Sequence, residues 1–115
     1  MKIMITACCL ALAVNTSIAW AECARPDARP EVVDGAKATK EQMIASNNAV
    51  KAYVDELKNY LLCLEAEEKT ASKDGSDTEE TRAARLTEYN SAVDDMSTLA
   101  DQLNTEIREY KAKNQ

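Results

Sequence analysis

The sequence has no His and no Phe, two Gly, two Pro, one Trp and four Tyr in 115 residues. Without His, the commonest general base and a frequent metal ligand are missing. A Ser, Thr or Cys nucleophile then lacks its usual activating neighbour. Basic residues are outnumbered, 14 Lys+Arg against 20 Asp+Glu, for a net charge of −6. Such a chain will not seek nucleic acid or an anionic membrane surface. The length leaves room for one small domain. Catalytic, cofactor-binding and metal-ligating residues are all expected to be none.

What is present begins with an export signal. Lys2 opens a short basic region, Ile3 to Val14 is apolar, and Ala19-Trp20-Ala21 is a small-x-small cleavage site before Glu22. The apolar run is too short to span a bilayer. Ile5-Thr6-Ala7-Cys8 has the outline of a lipidation box, but almost nothing apolar precedes it, and Cys23 follows Glu22. Residues 1–21 are therefore expected to be cleaved, with the product in the periplasm and without stable membrane association. The 22–115 chain keeps all 20 acids and 13 of the 14 bases, a net −7.

Cleavage leaves Cys23 and Cys63. An even pair in an exported chain points to one disulfide, with two free thiols as the alternative. No Cys-x-x-Cys spacing suggests redox work.

Pro26, Pro30, Gly35 and Gly75 divide the rest. Residues 40–72 and 78–115 hold neither Gly nor Pro and are rich in Ala, Glu, Lys and Leu, which favour helix. Thr39-Lys40-Glu41-Gln42 has capping-box spacing. Met43, Val50, Val54, Leu57, Leu61 and Leu64 then form an apolar seam, with Asn47 at its polar position. Ser76-Asp77-Thr78-Glu79 offers a second box, starting the second helix at Ser76. Its seam is Leu86, Tyr89, Val93, Met96, Ala100, Leu103, Ile107 and Tyr110, with steps of three and four throughout. Asp74-Gly75 within 73–77 is a turn signal.

The expected fold is all-α: a two-helix antiparallel hairpin over 40–115, coiled-coil-like in its seam. Folded about Gly75, Leu64 meets Leu86, Leu61 meets Tyr89, Leu57 faces Val93, Val54 faces Met96 and Val50 faces Ala100. Residues 22–39 are read as an extended strap pinned by the Cys23–Cys63 bond. Thr39 to Cys63 is about 36 Å along a helix. Cys23 to Thr39 reaches about 50 Å if extended, so the strap can run back along the first helix with slack. Tyr53, Tyr60 and Cys63 lie beside the seam, on an edge where Val32, Val33 and the prolines could pack. The competing use of Tyr53 and Tyr60 is an interaction edge, buried against a second copy in a four-helix bundle.

Acidic runs such as Glu65-Ala66-Glu67-Glu68 and Asp94-Asp95 read as solvated helix faces. The Asp74-Gly75-Ser76-Asp77 turn lacks calcium-loop spacing.

Cys23, Pro26, Pro30, Val33-Asp34-Gly35-Ala36, Met43, Val50-Lys51-Ala52-Tyr53 and Tyr60-Leu61-Leu62-Cys63-Leu64 together resemble a family of small exported proteobacterial proteins of unknown function. The likeness covers about the first half of the chain after residue 21. Val33 stands where that family's pattern has Pro. The resemblance implies the periplasm and the Cys23–Cys63 pairing, and it implies no activity. The functional expectation is a small acidic non-enzymatic protein that binds or scaffolds a protein partner, itself included. The alternative is an inhibitor of a basic cell-envelope hydrolase such as a lysozyme.

Overall fold

The computed structural model describes residues 22–115; the signal segment with Ala19 and Ala21 lies outside the described residues. Two helices, α1 (Lys40–Asp74) and α2 (Glu79–Lys113), each 35 residues long, pack antiparallel. Residues 22–39 form an extended strap, and Cys23 is bonded to Cys63 with a Cα–Cα distance of 5.7 Å.

Local chemistry sets each boundary. The Thr39 side chain accepts from the Gln42 N–H, and the Gln42 side chain accepts from the Thr39 N–H. Gly75 ends α1 in the left-handed region at φ 72°, where Gly carries no Cβ penalty. The second cap differs from the expectation: Thr78, not Ser76, caps α2, with Thr81 completing the box. Ser76 is engaged backwards, its N–H and hydroxyl both donating to Asp74. Asp77 is taken by Arg82, Arg85 and Thr81. Thr78 is the next residue with a free short hydroxyl.

Hydrogen bonds fix the register. Tyr60 donates to Glu88 at 3.2 Å, and Tyr53 donates to Asp95 at 3.0 Å. Seven residues back on α1 match seven forward on α2. This lies within two residues of the pairing expected about Gly75.

The core is Val50, Tyr53, Leu57, Tyr60, Leu61 and Leu64 against Ala92, Leu99 and Leu103, flanked by Cys23, Val32, Val54, Tyr89, Met96 and Ile107. The expected α2 seam is thus partly displaced. Tyr89, Met96, Leu103 and Ile107 face the core as expected, but Ala92 and Leu99 are fully buried, while Val93 is 39% exposed, Leu86 59%, and Ala100 exposed. The strap is the cause. It lies in the groove on one flank of the hairpin and covers Ala92 and Leu99 on α2 as it covers Tyr53 and Tyr60 on α1.

The strap touches both helices rather than α1 alone. From Arg25 to Gly35 its contacts on α2 advance from Ser91 to Glu106. That is about 2 Å per strap residue on a 1.5 Å helical rise, below the ~3.1 Å of full extension in polyproline II. Bends take up the slack. The Arg29 N–H donates to the Asp27 carbonyl, and the Lys37 and Ala38 N–H groups donate to the Asp34 carbonyl.

Candidate functional site

The two flanks of the hairpin groove differ in chemistry. On the strapped flank, polar groups converge on Asp95, whose side chain is 17% exposed. Arg29 donates to one Asp95 oxygen at 2.7 Å, and Tyr53 donates to the other at 3.0 Å. Arg25 lies 3.5 Å from Asp95 and donates to Ser91 at 2.9 Å. Burial pushes the Asp95 carboxyl up, but the Arg29 guanidinium, the Tyr53 hydroxyl and Arg25 outweigh it, and the net pKa is lowered. Burial, then the neighbouring carboxylate, raises Tyr53 above the ordinary tyrosine value through Asp95 and Tyr60 through Glu88.

Further along, Val33 N–H donates to the buried Ser46 hydroxyl, and Cys23 N–H donates to Glu67. Gly35 N–H donates to Glu106 at 2.7 Å. A Cβ at Gly35 would come within 1.9 Å of the Glu106 carbonyl oxygen. Only Gly lets the strap backbone approach the α2 backbone this closely.

These groups form a clamp, because their donors and acceptors are directed at one another. Tyr53 and Tyr60, read above as a candidate interaction edge, belong to this clamp. They are 5% and 6% exposed, with both hydroxyls engaged. The strap itself covers them, so they offer a partner no free edge. Cys23, Cys63 and Glu67 meet closely, but both sulfurs are in the disulfide and supply no thiolate. Asp34, Glu106 and Glu109 also meet, with Asp34 held by Lys37 and Glu106 by Gly35.

At the turn end, a groove of about 320 Å³ has Leu64, Glu65, Arg82, Arg85, Leu86 and Tyr89 in its lining. Both of its arginines are committed to Asp77. Burial raises the Asp77 carboxyl, and Arg82, Thr81 and Arg85 lower it further, for a net decrease.

The opposite flank is open. Among the described residues the exposed large apolar side chains are Ile44, Leu62, Leu86 and Val93. Helical geometry puts all four on the side of the hairpin away from the strap. Between them runs a second groove, lined by Asn47, Lys51, Val54, Lys58, Ala100 and Asn104.

Asp95, read from sequence as part of a solvated helix face, is instead largely covered and bonded to Arg29 and Tyr53. Gly35 carries only the reading of a chain divider and motif residue, and Arg25, Arg29 and Glu106 carry no site reading from sequence. One signal was available: Glu88, Asp95 and Gln102 recur at heptad spacing and match the four-residue step from Arg25 to Arg29. Compared with protein-family models, with curated proteins and with solved structures, the chain matches none.

Proposed function

We propose that the protein is an exported, non-enzymatic binding or scaffolding protein of the periplasm, and that its partner docks on the strap-free face. One observation carries the reading. Tyr53, Tyr60, Asp95, Arg25 and Arg29 are spent on holding the strap, while the exposed large apolar side chains gather on the other side. A face of that kind marks an interaction site.

Export is supported by the order of basic region, apolar run and cleavage site. It is supported also by a structural disulfide, which persists in oxidising compartments. Among the described residues no helix is long and apolar enough to cross a membrane. The resemblance of residues 23–64 to exported proteobacterial proteins points the same way. The link between the helices is only Gly75–Thr78, too short to insert into an enzyme cleft as an inhibitory loop, so the hydrolase-inhibitor alternative gains no support from it.

Photo-cross-linking in the periplasm tests the reading. A photoreactive residue at Leu62 or Leu86 is expected to trap a defined protein, and one at Arg29 is not. Equal or absent trapping at the two faces would sink it. N-terminal sequencing should begin at Glu22; an intact Met1 would overturn the export step.

A further inference from the structure

We propose that the occupant of the strap-free face is a second copy of this chain, forming an antiparallel four-helix bundle. The inference rests on the docking-face reading above and names its partner.

The first argument is the stripe on α2. Ala83, Leu86, Asn90, Val93, Ser97, Ala100, Asn104 and Ile107 follow one another in alternating steps of three and four. None is charged, in a chain that is 30% charged, and all but Ile107 are exposed. This is a second heptad seam beside the one the hairpin uses, and it faces solvent. Its small residues would let another helix come close.

The second argument is charge. Lys51 and Lys58 line the groove of this face on α1, inside Ile44 and Leu62, and helical geometry places Asp94 and Asp101 along its outer border on α2. All four are exposed. Among the described residues Lys51, Asp94 and Asp101 have no ion-pair partner. Lys58 has only a solvent-exposed contact to Asp55 at 3.5 Å, a kind worth little.

The symmetry then decides the arrangement. Two identical faces can close about a two-fold axis parallel to the helices or perpendicular to them. The perpendicular axis sets the lysine border on itself and the aspartate border on itself. The parallel axis sets α1 of one copy against α2 of the other and keeps every residue at its own height. The hairpin's internal register levels Tyr53 with Asp95 and Tyr60 with Glu88. The same register levels Lys58 with Asn90 and Lys51 with Ser97 of the second copy. Asp94 and Asp101 of that copy thus lie one helical turn, about 6 Å, further along, on the side toward which the lysine stems lean and within their reach. Each pair occurs twice by symmetry, and all neighbouring helices run antiparallel.

Size is sufficient. A 35-residue helix is about 52 Å long. Two side by side at about 10 Å spacing present about 1,000 Å². A standard interface takes about 800 Å² per partner.

The test is sedimentation of the protein expressed from the full chain and purified with its disulfide formed, from micromolar to millimolar concentration. A dimer is expected. Lys51→Glu with Lys58→Glu, and separately Asp94→Lys with Asp101→Lys, should each weaken the dimer by about tenfold or more, since like charges then oppose at four places. Mixed in equal amounts, the two variants should restore a heterodimer, because the acidic borders of one then meet the basic borders of the other. The loss in each variant alone is what marks the α1-on-α2 arrangement, since the perpendicular axis opposes like charges already in the wild type. Leu86→Asp with Val93→Asp should give a monomer with unchanged circular dichroism, both sites being exposed. A monomeric wild type, or a mixture that stays monomeric, overturns the second-copy proposal. In that case a different protein trapped at Leu86 leaves the docking-face reading standing, and no trapping at Leu86 removes both.

Discussion

The two flanks of the hairpin groove start from the same helical pattern and end differently. Beneath the strap, Tyr53, Tyr60, Ala92 and Leu99 are buried, and Arg25, Arg29, Glu88 and Asp95 are directed at partners in the chain. On the other flank Leu86, Val93 and Ala100 have equivalent spacing and stay exposed. The difference lies neither in helix propensity nor in periodicity. It lies in an 18-residue segment with two prolines, held by one covalent bond, that occupies one groove and not the other.

The largest effect should come from releasing that segment. The disulfide closes a separation of 40 residues, worth about 4 kcal/mol in the chain-entropy model. Cys63→Ala, or reduction, should lower the melting temperature markedly and expose Tyr53 and Tyr60 to quenchers of tyrosine fluorescence. An unchanged melting curve would mean that the strap holds without its bond, and the contrast between flanks would need another cause.

Next in size is a matched truncation of the two flanks. Leu99→Ala removes a fully buried side chain and should cost about 2–5 kcal/mol. Val93→Ala, six residues earlier on the same helix, should cost no more than about 0.5 kcal/mol in the monomer. Denaturant unfolding at low protein concentration reads both. Equal costs would put the seam where periodicity alone expected it.

That pair also marks how much of the molecule was legible in its sequence. Tyr89, Met96, Leu103 and Tyr110 belong to two stripes at once. One adds Leu86, Val93 and Ala100; the other adds Ala92 and Leu99. Both alternate three and four, so periodicity cannot choose between them, and the more apolar residues favour the stripe that proves exposed. The choice is made by the strap, a tertiary contact. By contrast, the Thr39 cap, the turn at Gly75 and the hairpin register depend on local chemistry or on chain length, and these were readable. So was the strap's reach to Cys63. Its path was not. The Gly35–Glu106 approach is a backbone-to-backbone contact between residues 71 apart, and no side-chain pattern announces it. The candidate docking face was hidden for the same reason. By periodicity alone Leu86 and Val93 fit the hairpin's own core.

Gly35→Ala sharpens the comparison at the far end of the strap. Its Cβ would collide with the Glu106 carbonyl, so the strap must lift there. A loss of about 1–3 kcal/mol is expected, typical of overpacking at a site that can shift. Hydrogen exchange should rise at Val33 and Gly35 and stay unchanged near Gly75. No change in exchange would show that the helix backbone yields instead of the strap.

The smallest effect is the most specific to the clamp, and it is a pH effect. The folded state lowers the Asp95 carboxyl below its ordinary range. A lowered carboxyl stabilises the fold above the unfolded value, near 3.8, and this contribution is lost as pH falls through the folded value. Asp95→Asn keeps the shape but removes the charge that Arg29 and Arg25 face. It should cost about 0.5–2 kcal/mol at neutral pH, the difference between a hydrogen bond to a charged acceptor and one to a neutral acceptor. It should also flatten the fall in melting temperature between pH 5 and the acid limit, relative to wild type. Tyr53 supplies the opposite limb. Its raised value stabilises the fold below the ordinary tyrosine range near 10, and that contribution is lost as pH rises through the folded value. If Asp95→Asn and wild type lose stability in parallel through acid, the clamp contributes nothing that titrates. The strap would then be held by its bond and its apolar contacts alone, and the two flanks would differ in packing but not in electrostatics.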